Sequence, residues 1–126
     1  MANEKRELLK GSTPSLILAV LADAPRHGYA VAREIERRTD SALSLGEGSL
    51  YPALLALEQS GLVTGAWETR SANGPARKVY TITEAGTAEL ARRTRDWRAF
   101  AQSIERVLGT LGVPESKGAE PDVQPA

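Results

Sequence analysis

The sequence has no cysteine, a single histidine and no net charge. Without thiols there are no disulfides, no thiolate metal ligands and no cysteine nucleophile, and the composition fits a reducing compartment. With His27 as the only imidazole, neither a histidine-rich metal site nor a Ser-His-Asp arrangement on any other histidine can be assembled. The longest apolar run, LILAVLA at 16–22, is far below the ~20 residues that a membrane-spanning helix needs. These absences predict a cytoplasmic chain with no cofactor, no metal and no membrane partner.

The 126 residues leave room for one compact domain and one long extra element, since domains cluster near ~100–150 residues. A large enzyme core does not fit, and no nucleophile–base pair can be assembled around His27. Neutrality, with 16 basic and 16 acidic side chains, hides an uneven distribution. The tail from 113 to 126, VPESKGAEPDVQPA, is acidic, whereas residues 62–82 set Arg70, Arg77 and Lys78 against Glu68 alone. Phosphates respond to such local fields and not to totals.

Along the chain, Ser12, Thr13 and Pro14 open a helix through SLILAVLAD that Ala24-Pro25 ends. A short amphipathic helix follows from Gly28 to Thr39, with Val31, Ile35 and Arg38 on successive turns. In GEGSLYPALLALEQSGLV (46–63), Ser49 is placed to cap a third helix from about Leu50 to Ser60, and Gly61 to terminate it. Leu50, Leu54, Leu55, Leu57 and Glu58 supply its buried face. The period then changes to two: LVTGAWETR and ARKVYTIT flank an Asn73-Gly74-Pro75 turn and predict a β-hairpin with a basic returning strand.

Thr83 caps a long helix from Glu84 to about Thr110. Leu90, Trp97, Ala101, Ile104, Leu108 and Leu111 recur at heptad spacing, the pattern of a helix that meets another helix. Arg92, Arg93, Arg95 and Arg98 read as its solvated face. Three of the seven prolines lie in the aperiodic tail, which is expected to be disordered. The predicted class is mainly α with a small β-hairpin: a winged helix-turn-helix over 1–82, a dimerisation helix over 83–112 and a tail over 113–126.

The GEGS segment lacks the lysine of a phosphate-binding loop and follows no predicted strand, so it is a poor nucleotide cradle. Three helices and a basic hairpin are instead the order of a DNA-binding winged helix, whose third helix enters the major groove by its N-terminal end. The motifs KGSTPSLILAVLADAPRHGYAVAREIE, GEGSLYPALLALEQSGLV and GPARKVYTITEAG stand in this order, and over residues 8–111 the chain resembles the PadR-type transcriptional regulators. The resemblance implies a homodimeric repressor that binds double-stranded DNA at a palindromic operator. It also implies contacts by Tyr29, Ser49, Tyr51, Gly74, Arg77 and Lys78. Some members of the family release DNA on binding a small aromatic effector near a tryptophan of the dimerisation helix, which nominates Trp97 as a candidate ligand-binding residue.

From the residues alone, Arg70 on the outgoing strand is a further candidate DNA contact, and Lys5, Arg6 and Lys10 form a candidate basic arm. His27 is expected to satisfy the backbone at a helix start, and Val79 to face the core. The competing class is a winged-helix module that binds a protein partner without reading DNA sequence.

Overall fold

The computed structural model describes residues 9, 11–69, 74 and 76–110. Lys5, Arg6, Lys10, Arg70, Leu111, the turn residues 71–73 and 75, and the tail from 113 lie outside the described residues. The elements are α1 (Thr13–Asp23), β1 (Arg26–His27), α2 (Gly28–Arg38), α3 (Glu47–Gln59), β2 (Val63–Glu68), β3 (Arg77–Ile82) and α4 (Glu84–Thr110). This is the predicted winged helix-turn-helix followed by a long helix, with one strand more than the sequence announced.

α1 is apolar on most of its surface and lies at the centre, packed against α2, α3 and β3. Ile17, Leu18, Val20 and Leu21 of α1 meet Val31 and Ile35 of α2, Leu50, Leu54 and Leu57 of α3, Val63 of β2 and Tyr80 of β3 in one core. Truncating a side chain there, such as Leu54, costs about 2–5 kcal/mol. Leu55 is exposed, outside the face formed by Leu50, Leu54 and Leu57. The one-residue step from Leu54 rotates it about 100° round the helix.

The sheet order is β1-β3-β2, all antiparallel. Val63 pairs with Ile82 and Glu68 with Arg77, so β2 and β3 form the predicted wing. β1 adds only Arg26 opposite Tyr80 and His27 opposite Val79. Because successive strand residues face opposite sides, burial of Tyr80 turns Val79 to the other face. Val79 is half-buried there, and Tyr80 supplies the core contact expected of its neighbour.

α3 begins three residues earlier than expected. Gly46, in an extended conformation, is the N-cap residue, and its carbonyl accepts from the N–H groups of Ser49 and Leu50 at 3.1 and 2.9 Å. Ser49 is therefore the third helical residue and not the cap. Pro52 sits in the second turn, where it cannot donate to the exposed Gly48 carbonyl. Gly61 ends the passage out of α3 at φ +78, a conformation that favours glycine.

Thr83 caps α4 as predicted: the Gly86 N–H donates to Thr83 Oγ1 at 3.0 Å, while the Thr83 hydroxyl donates to the Gly61 carbonyl at 2.8 Å. A Cβ on Gly86 would collide with the Leu62 carbonyl oxygen, so the first turn of α4 rests on the backbone after α3. Leu90 packs on the core of its own domain.

The chain divides into two compact units, the first ending at Thr94 and the second beginning at Arg95. In the second, Trp97, Phe100, Ile104, Val107 and Leu108 are exposed apolar side chains on α4, with Ala101 half-buried. Among the described residues no helix is long and apolar enough to cross a membrane.

Candidate nucleic-acid interface

α3 buries Leu50, Leu54 and Leu57 and leaves Glu47, Gly48, Ser49 and Tyr51 exposed at its N-terminal end. Unpaired backbone N–H groups and a positive dipole end make such a terminus a place for anionic groups. Tyr51 is held by its neighbour in space: a Cβ on Gly28 would lie 2.9 Å from Tyr51 Cε1 and 3.3 Å from Leu54 Cδ1. The missing side chain at 28 lets the ring lie against the start of α2.

A groove of about 730 Å³ opens beside this ring. Its walls come from His27–Ala30 at the start of α2, Tyr51 of α3, Trp67 of β2, and Ala76, Arg77, Lys78 and Tyr80 on and before β3. Four predicted contact residues, Tyr29, Tyr51, Arg77 and Lys78, thus line one groove. Ser49 and Gly74 are not among its walls: Ser49 is exposed on the first turn of α3, and Gly74 is half-buried at a bend in the wing. Arg70 and Lys10 lie outside the described residues.

Tyr29 is exposed, and Arg33, one turn along α2, donates to its hydroxyl at 3.1 Å with the guanidinium carbon 5.5 Å from the ring centroid. Arg33 was not among the expected contacts, although its four-residue spacing from Tyr29 puts both on one helix face. Arg37 and Arg38 are engaged by Glu34, Arg37 through Nε and Nη2 at 3.0 and 2.6 Å and Arg38 through Nε at 2.7 Å. Arg38 also pairs with Asp23. Hydrogen bonds from Arg37 and Arg38 hold the Glu34 carboxyl down to about 2.

The two adjacent wing cations do not act alike. Arg77 is exposed, with no ion-pair partner among the described residues. Lys78 points to the opposite face, where its ammonium donates to Glu58 Oε1 at 3.0 Å and lies 5.5 Å from the Tyr80 ring centroid and 5.9 Å from that of Trp67. The hydrogen bond to Glu58 raises the Lys78 pKa. Burial raises that of the Tyr80 phenol.

His27 makes no side-chain cap to α2, against expectation. Its Nε2 instead lies 3.0 Å from Glu68 Oε1, on the strand beyond β3. The backbone pairing of β1 with β3 already fixes this helix start and frees the ring. On α4, Glu89 pairs with Arg92 and Arg93, in keeping with a solvated face.

Residues 17–92 match the transcriptional regulator PadR-like family. A transcriptional regulator of Mycobacterium tuberculosis is 36% identical over 104 residues, covering 82% of this chain and 90% of the relative. A PadR family regulator from Eggerthella lenta superposes with a TM-score of 0.73 at 25% identity, covering 85% of this chain and 90% of the other. A Clostridium thermocellum regulator, 23% identical with a TM-score of 0.74 over 79% of this chain and 96% of its own, shares the fold. The chain belongs to the PadR-like family of transcriptional regulators.

Proposed function

We propose that this regulator is a homodimeric repressor that binds double-stranded DNA at a palindromic operator, which places its work in the cytoplasm. The observation that carries the reading is the gathering of Tyr29, Tyr51 and Arg77 around one groove beside the exposed N-terminal turn of α3. Tyrosine hydroxyls and arginines are routine donors to backbone phosphates, and a helix N-terminus in the major groove brings side chains to base edges. Ser49 on that turn, Gly74 in the wing, and Arg70 and Lys10, which lie outside the described residues, complete the proposed contact set. Membership of the PadR-like family supports the same reading.

The proposed dimer is built on α4 through Trp97, Ile104 and Leu108 with the half-buried Ala101 and with Phe100 and Val107 beside them; Leu111, outside the described residues, belongs to the same proposed seam. A twofold dimer presents two third helices and two wings to half-sites about one helical turn of DNA apart. A small aromatic effector would stack on Trp97 along this seam. Sedimentation of the protein with a duplex that it selects from a randomised pool tests the assembly. Two chains per duplex are expected; a one-to-one complex would contradict the dimeric reading.

The protein-interaction reading draws support from the Lys78–Glu58 pair, which neutralises one of the wing's cations. The exposed Arg77 weighs on the side of DNA, as does the family.

A further inference from the structure

Glu58 lies in the last turn of α3, two turns from Tyr51, and Lys78 lies on the central strand of the sheet. Their ion pair is sheltered, with side chains 26% and 29% exposed for Lys78 and Glu58. Tyr80 and Trp67 flank the ammonium, and rings that face a cation hold it in place.

The opposite strand is shaped to admit this side chain. Gly65 of β2 pairs with Tyr80, and a Cβ at 65 would collide with Lys78 Cε and come within 3.2 Å of Glu58 Oε2. Glycine weakens a strand interior and marks places where another group approaches closely. Here the approaching group is the lysine stem. A lysine aimed at DNA needs neither a carboxylate partner nor a glycine beneath it.

We propose that Glu58, Lys78 and Gly65 form a latch that fixes the wing against the DNA-reading helix, so that Glu58 and Lys78 are positioning residues for operator binding and Lys78 is not a phosphate contact. The inference rests on the DNA-binding reading above. Because the two charges cancel locally, the latch adds nothing to counterion release on binding. Arg77, turned to the other face of β3, is carried at a set distance from the N-terminal turn of α3.

The test measures affinity and salt dependence for the duplex that the wild-type full-length chain selects from a randomised pool. Glu58→Gln and Lys78→Gln are each expected to weaken binding roughly fivefold with an unchanged salt slope. Their combination should be no worse than either alone, and the charge exchange Glu58→Lys with Lys78→Glu should recover part of the loss. In a Trp97→Phe background, where Trp67 is the remaining tryptophan, Glu58→Gln should shift its emission.

If Lys78→Gln lowers the salt slope by about one while Glu58→Gln tightens binding, Lys78 is a phosphate contact and the latch is overturned. Variants that bind like the wild type would overturn the latch alone. A wild-type chain that selects no duplex removes the DNA reading and the latch's role with it.

Discussion

The ring of Tyr51 on α3 lies against Gly28, the first residue of α2, so closely that a methyl group at 28 would stand 2.9 Å from Tyr51 Cε1. One missing side chain thereby ties the aim of a surface tyrosine to the packing of two helices. Gly28→Ala is expected to push the exposed ring aside and to shift the core only slightly, at Leu54 Cδ1, 3.3 Å from the new methyl. Operator affinity should fall about fivefold while thermal stability changes by less than ~1 kcal/mol. Tyr51→Phe separates the hydroxyl from the ring: weaker binding with an intact dimer is expected, and unchanged affinity removes the hydroxyl from the account.

Gly86→Ala addresses packing without touching the groove. Its new methyl would collide with the Leu62 carbonyl oxygen, which belongs to the backbone and cannot rotate away. Destabilisation of about 2 kcal/mol or more is expected in a denaturant melt. A variant as stable as the wild type would show that α4 does not rest on that turn.

On α4, Trp97→Ala and Phe100→Ala each remove a large exposed apolar side chain. Both are expected to raise the dimer dissociation constant tenfold or more, on the order of an anchor residue in an interface core. Sedimentation equilibrium reads the change. A stable Trp97→Ala dimer that has lost only its response to aromatic compounds would assign that residue to ligand binding and not to the seam.

Acid should loosen the first unit through Glu34 and Glu89. Hydrogen bonds from arginine hold each carboxyl at about 2 against an ordinary value of 4.5. A carboxylate with a lowered folded-state pKa stabilises the fold above its unfolded value and loses that contribution as pH falls through the folded one. Stability should therefore fall between pH 4.5 and about 2. Glu34→Gln should flatten this dependence in urea melts, and because these pairs are solvent-screened, added salt should flatten it as well. Equal slopes for variant and wild type would contradict the assignment.

The wing was legible because VTGAWE and RKVYTI alternate on either side of an Asn-Gly pair in the sequence, and its register follows from Val63 opposite Ile82. The start of α3 was not, because serine and glycine are both common at a helix N-cap, the one for its hydroxyl and the other for its free backbone. Ser49 before Leu50-Tyr51-Pro52 read as the boundary, but the extended backbone falls at Gly46. β1 was invisible because a two-residue strand has no period of its own and exists by pairing with Val79 and Tyr80. Arg77 and Lys78 read as one basic patch because they are adjacent. Strand geometry sends them to opposite faces, and the partner of Lys78 lies twenty residues away in sequence. On α4, a strict heptad picked out Leu90 together with Trp97, Ala101, Ile104 and Leu108, but Leu90 packs on the core of its own domain, and the heptad passed over Phe100 and Val107, which lie on the same helix.

Fluorescence anisotropy of the full chain at several salt concentrations, against a duplex from its own upstream DNA and a scrambled duplex, decides whether this protein reads DNA sequence. Tight binding to the first and weak binding to the second are expected, with a salt slope equivalent to roughly several released counterions. Weak and equal binding to both, with that upstream DNA also failing to enrich in selection from genomic fragments, would contradict operator binding.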